Sequence, residues 1–111
     1  MPVRSVWRFT DGRPGHDHQS LGLVRALQGK LALEVFDVPV SRGRARPGER
    51  LPDPWLMVGA GHATQLPLLR ARRARGGKAV VIMSPGLPRR WYDLCIIPAH
   101  DAPPPADNVL V

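Results

Sequence analysis

The chain has 111 residues, 43% of them hydrophobic and 23% charged, with one cysteine and a net charge of +7. That length gives one domain with a real core, held by packing without disulfides or structural metal. No apolar run approaches the ~20 residues of a membrane span, and Asp11 arrives too early for a secretory signal, so the expectation is a cytoplasmic chain whose membrane contact, if any, is peripheral.

Val3 to Phe9 reads as a first strand, with Val3, Val6, Trp7 and Phe9 supplying bulk and Arg4 and Arg8 interrupting the alternation. Leu21, Val24 and Leu27 recur at helical spacing, which predicts a helix from Asp17, its N-cap, to Gln28, stopped by Gly29. Leu33 to Val38 forms a second strand. From Pro39 to Pro54 the chain is rich in arginine and proline without periodicity, and is expected to hold an irregular turn or a mobile loop. Trp55 to Gly59 is a third strand running into Gly59-Ala60-Gly61-His62, followed by a helix to about Arg75 and a stop at Gly76-Gly77; Pro67 fits only near that helix's first turn. Lys78 to Met83 is a fourth strand, broken by Ser84 to Pro88, and Leu94 to Ile97 a fifth, in which Cys95 reads as a buried, inert thiol. Pro103 to Pro105 reads as linker or surface loop, and Asn108 to Val111 as another strand beginning.

This alternation predicts a single Rossmann-like α/β domain over residues 1–111: an open parallel sheet of about five strands, order 2-1-3-4-5, with helices on both faces. In that order the winding reverses between the first and third strands, so the loop Asp11 to His16 faces the loop Gly59 to His62 across one crevice. Each loop leads from a strand into a helix, whose first N–H groups favour an anion.

Candidate chemistry follows from those loops. His16 and Asp11 are the catalytic candidates, one to move a proton and the other to orient it or a ligand hydroxyl. Gly12 and Gly15 allow close backbone approach, and Arg13 suits a phosphate or carboxylate. Gly59, Gly61, His62 and Thr64 offer a second cradle, and His100, after the fifth strand, falls at the same sheet edge. The structural alternative is that the glycines only turn the chain and that His62 and Thr64 only cap a helix. Gly59-Ala60-Gly61 is a weak dinucleotide fingerprint because Thr64 stands at the third glycine. His16, His18, His62 and His100 invite a metal, but residues two apart on a helix diverge and no cysteine cluster or HExxH accompanies them, so no metal is predicted. No Walker loop and no serine elbow is present.

The segments Thr10-Asp11-Gly12-Arg13-Pro14-Gly15-His16, Gln19 and Leu21-Gly22-Leu23 resemble the N-terminal signature of the mitochondrial-fission "elongated mitochondria" family. Val58-Gly59-Ala60-Gly61-His62, Tyr92-Asp93-Leu94, Ile97-Pro98, His100-Asp101 and Asn108-Val109-Leu110-Val111 continue the likeness in order along nearly the whole chain. The resemblance implies the N-terminal part of a longer, two-domain protein. Plant members are associated with recruiting a dynamin-related protein to mitochondria, and bacterial members are described as nucleotide-sugar enzymes without settled activity. Both glycine loops are also similar in placement to those of GT-B glycosyltransferases, notably the peptidoglycan N-acetylglucosaminyltransferase, whose N-terminal domain receives the acceptor. Asp11-Gly12-Arg13-Pro14 departs from that enzyme's purely glycine-rich start.

Three functions are therefore carried forward. The first is the acceptor-side domain of a GT-B-like sugar transferase, with no cofactor of its own, a small-molecule or lipid-linked sugar acceptor, and a nucleotide-sugar donor for the full-length protein. The second is a non-catalytic protein-interaction module. The third is a nucleic-acid binder using Arg42 to Arg50 and Arg70 to Arg75, disfavoured by the sparse aromatics. The apolar fifth strand is expected to need cover from a missing C-terminal domain or a second copy.

Overall fold

A computed structural model of the protein describes residues 2–45, 51–83, 85–101 and 106–111. Seven strands, β1 (Arg4–Thr10), β2 (Leu33–Ser41), β3 (Arg44–Ala45), β4 (Leu56–Ala60), β5 (Lys78–Ile82), β6 (Leu94–Ile96) and β7 (Val109–Leu110), form one sheet. Its order is β3-β2-β1-β4-β5-β6-β7, parallel throughout except for the β2–β3 pair. Two helices, α1 (Pro14–Gln28) and α2 (His62–Arg75), connect β1 to β2 and β4 to β5. The five predicted strands thus occur in the predicted relative order, with one short strand added at each edge.

Side-chain alternation divides the core between the two faces. Val6, Val58, Val80 and Ile82 pack with Val24 of α1; Trp7, Phe9, Met57 and Val81 pack with Leu68 of α2. All of β4 is buried because it is central and covered on both sides, which is why its sequence reads as an uninterrupted apolar run. The arginines that blur β1 are each accounted for. Arg4 lies over the Trp55 ring at 4.6 Å. Arg8, only 8% exposed, turns to the α1 face, where its guanidinium forks onto both Asp37 carboxylate oxygens at 2.9 Å and donates to the Asp17 carbonyl at 2.8 Å and Ser20 Oγ at 3.2 Å.

Several expectations are corrected. Helix α1 begins at Pro14, so Gly15 and His16 lie in its first turn and Arg13, not Asp17, is the N-cap; proline is tolerated there because that N–H has no intrahelical partner. Pro39 does not end β2. The strand runs on to Ser41 and reverses through Arg42 and Gly43, both at positive φ (53° and 74°), as a tight hairpin into β3. The remainder of the predicted loop, 46–50, lies outside the described residues, as do the three prolines 103–105. Pro67 sits in the second turn of α2 and costs one helical hydrogen bond, to the carbonyl of exposed Ala63. The strand read as beginning at Asn108 is β7, which pairs with β6, Cys95 opposite Val109. Cys95 is buried, and burial pushes its thiol pKa up.

Replacing Arg8 by Met should take away the donor to buried Ser20 Oγ and one of the two donors to the Asp17 carbonyl, which keeps the Ser20 hydroxyl at 3.1 Å, and lower unfolding free energy by about 1–3 kcal/mol. Urea denaturation measures this; an unchanged midpoint would mean that Arg8 does not fasten α1 to β1.

Candidate functional site

The bend after β1 is built around one carboxylate. Gly12 turns the backbone at φ 81°, and Arg13 is extended before the helix starts at Pro14. Asp11 Oδ1 accepts the Arg13 N–H at 3.0 Å, and the Asp11 N–H donates to Asp17 Oδ1 at 3.3 Å. Asp11 Oδ2 lies 2.7 Å from His16 Nδ1. The carboxylate is nearly buried, with 3% of its side-chain surface exposed, while the imidazole keeps 22%.

Burial pushes the Asp11 pKa up, but the hydrogen bonds from His16 and the Arg13 N–H, together with the positive charges of both residues, outweigh it and hold the carboxyl below its ordinary value. Asp11 is therefore ionised at neutral pH and can only accept. In its neutral form the His16 ring then carries its proton on Nδ1, donated to Asp11, and Nε2 is the ring's acceptor nitrogen.

The second bend closes onto this pair. Gly61 follows β4 at φ 92° and serves as N-cap of α2. A Cβ there would overlap the His16 imidazole and come within 3.0 Å of Asp11 Oδ2, so only glycine lets the two bends touch. The crevice predicted between the loops is consequently narrow at its base, where the His16 ring itself fills it. A third loop adjoins. Gly86, beyond β5, donates its N–H to Gln65 Oε1 at 2.9 Å, and a Cβ on Gly86 would lie 3.1 Å from His62 Nδ1. The three bends leave the carboxyl ends of the neighbouring strands β1, β4 and β5, with the reversal of winding between β1 and β4.

Other predicted residues divide into two groups. Gly12, Arg13, Gly15 and His62 are exposed around the pair. Thr64 is fully buried and spends its hydroxyl on the Gly61 carbonyl at 2.8 Å, while Gly59 makes room for Thr64: a Cβ on Gly59 would stand 2.6 Å from Thr64 Oγ1. These two shape the bend from within. His100 falls in the 3₁₀ turn Ala99–Asp101 after β6. His18 is exposed on α1 and does not join His16. Among the described residues no three His, Cys, Asp or Glu side chains converge as metal ligands.

Sequence reading missed Gln65, Gly86 and Met83. Gln65 is 3% exposed and its Nε2 has no partner among the described residues. Met83 adopts φ 86°, unusual for a side chain of its size. The breaker Ser84 to Pro88 was the available signal for this loop; nothing marked the glutamine. A cavity of about 570 Å³ lies away from the pair, between α2 and the β2–β3 hairpin, lined by Trp7, Arg44, Pro67, Arg70 and neighbours.

Fold and site together define a Rossmann-like α/β domain that carries a carboxylate–histidine pair at its topological switch point. The sequence profile of the mitochondrial fission ELM1 family matches residues 14–111, and the chain belongs to that family. It is similar to the uncharacterized protein RP120 of Rickettsia prowazekii (strain Madrid E), with 27% identity over 115 residues that cover 87% of this chain and 32% of the relative. The chain thus spans about a third of that relative's length. No solved structure is significantly similar to it.

Two stability measurements probe the junction. Gly61→Ala should destabilise by about 1–3 kcal/mol from its left-handed φ alone, with a further cost for displacing His16. Gly15→Ala, whose Cβ meets nothing within 4 Å, should instead stabilise by about 0.4–1 kcal/mol. Equal effects of the two would contradict the contact. A group with a lowered native pKa adds stability above its unfolded value, lost as pH falls through the native one. The stability gap between the parent and Asp11→Asn should therefore be full at neutral pH and shrink below pH ~4. A gap independent of pH would show that Asp11 is not held ionised.

Proposed function

We propose that this domain is the acceptor side of a GT-B-like glycosyltransferase that uses a nucleotide-sugar donor. His16 is the general base, and Asp11 is the residue that fixes its tautomer. The observation that carries this reading is the 2.7 Å contact between an almost buried carboxylate and His16 Nδ1, which directs the basic Nε2 away from Asp11.

The anion site belongs more to α2 than to α1. Neither helix has a side-chain N-cap hydrogen bond, so both leave first-turn N–H groups available. Asp11 and Asp17 both place negative charge beside the start of α1; Asp11 also approaches Gly61, but the first turn of α2 itself holds no acid and begins with exposed His62. An acceptor phosphate therefore fits best at Gly61 to Ala63, with exposed Arg13 on the other bend as the candidate cation and the reacting hydroxyl over His16.

In the reaction, the acceptor oxygen forms a bond to the anomeric carbon while the bond from that carbon to the nucleoside diphosphate breaks, the leaving group keeping the electron pair. His16 Nε2 takes the hydroxyl proton. The donor is assigned to the part of the longer relative that this chain does not span, so activity is expected of the full-length protein and only ligand binding of this domain.

Glycosyl transfer from UDP-sugars by the full-length protein tests the assignment. His16→Ala should lower kcat by about 10²- to 10⁴-fold while leaving donor KM within a few-fold. Activity unchanged in both His16→Ala and Asp11→Asn would remove the proposed roles.

A further inference from the structure

A second surface, separate from the Asp11–His16 pair and independent of the transferase reading, combines exposed apolar side chains with unpaired arginines. Leu66, Leu69, Arg70 and Arg73 of α2 and Trp91 of the 3₁₀ turn Arg89–Trp91 line an open groove of about 390 Å³. Trp91 is 45% exposed and Leu66 42%, so two large apolar side chains face solvent in the same groove. The groove has fixed walls: Arg72 donates to the Trp91 carbonyl at 2.8 Å and lies 3.3 Å from Asp93, which ties the turn to the helix.

The charges sort in an informative way. Arg72 pairs with Asp93 and Arg75 with Asp53. Arg70, Arg73 and neighbouring Arg90 are exposed and, among the described residues, none is within ion-pair distance of an acid. Helix α2 itself contains no Asp or Glu. Beyond Arg70 the same flank of the helix continues into the cavity lined by Pro67, Ala71 and Ala74, so small and apolar groups persist on both sides of the arginine.

We infer that this face of α2, with Trp91, docks on an anionic phospholipid surface. Tryptophan settles at headgroup level, leucines reach toward the acyl boundary, and arginine guanidinium groups pair with lipid phosphates. Charge complementarity favours the anionic lipid, because the charged residues lining the groove are arginines and the neighbouring acid, Asp93, is paired with Arg72. Nucleic acid fits less well: two of the three apolar groups are leucines, which offer no ring for a base to stack on. None of the helices is long and apolar enough to cross a membrane among the described residues, so the contact is one of lying on the bilayer.

Co-sedimentation of the 111-residue protein with vesicles tests this, using phosphatidylcholine alone against an equal mixture with phosphatidylglycerol. The expected result is binding to the mixed vesicles only, weakening with salt. Each arginine near such a surface contributes about fivefold, so Arg70→Gln with Arg73→Gln should weaken binding about 25-fold. Trp91→Ala with Leu66→Ser should weaken it at high salt as well as low, since its loss is apolar. The control Arg25→Gln with Lys30→Gln removes the same charge from the end of α1, on the opposite face of the sheet, and should retain most of the binding. All six positions are exposed, and circular dichroism checks that each variant is folded. No binding to mixed vesicles, equal losses in the α2 and α1 variants, or binding to a short RNA or DNA that the same α2 variants abolish more strongly, would overturn the inference.

Discussion

A single carboxylate organises the candidate site of this molecule. Asp11 follows β1 with its side chain almost wholly buried, and a buried anion must be met by donors. It takes one from the backbone of Arg13 and one from His16, and in doing so sets the angle at which α1 leaves the sheet. Arg8 fastens the next turn of the same helix through the Asp17 carbonyl and Ser20. The position of His16 is therefore determined by the strand below it and the helix that carries it, rather than by a free loop, which is the condition for a preorganised base.

Topology supplies the second half. Because β1 and β4 are neighbours, the two strand-to-helix bends start side by side even though their helices cover opposite faces. Gly61 makes that approach possible, and Thr64, turned inward onto its carbonyl, holds it there. The likeness to a dinucleotide fingerprint at Gly59-Ala60-Gly61 thus has a packing cause: the first glycine admits Thr64 and the second admits His16.

Much of this was legible in the residues themselves. The apolar runs of β4 and β5 announced a sheet covered on both faces, and the pattern of strand and helix limited its order enough to place Asp11 to His16 beside Gly59 to His62. What escaped reading had local causes. Proline at position 39 sits near the sheet edge, where a missing N–H is tolerated, so it did not end β2, and the Arg42-Gly43 turn lacks the usual Asn-Gly signature. Pro14 is as compatible with a helix start as with a loop, which moved the N-cap back to Arg13. Thr64 looked like a polar contact, but whether a hydroxyl faces ligand or backbone depends on tertiary packing that no spacing rule encodes. Membership of the mitochondrial fission ELM1 family agrees with the resemblance and leaves the chemistry to be argued from the site.

The central claim is that the imidazole of His16 lies against the backbone of Gly61. It is tested most directly by a nuclear Overhauser measurement between the Gly61 Hα and His16 Hε1 protons in the isotope-labelled protein at neutral pH. A strong cross-peak is predicted, since Cε1 is one of the atoms an added Cβ at Gly61 would strike. Sharp, assigned resonances for both protons with no cross-peak between them would contradict it.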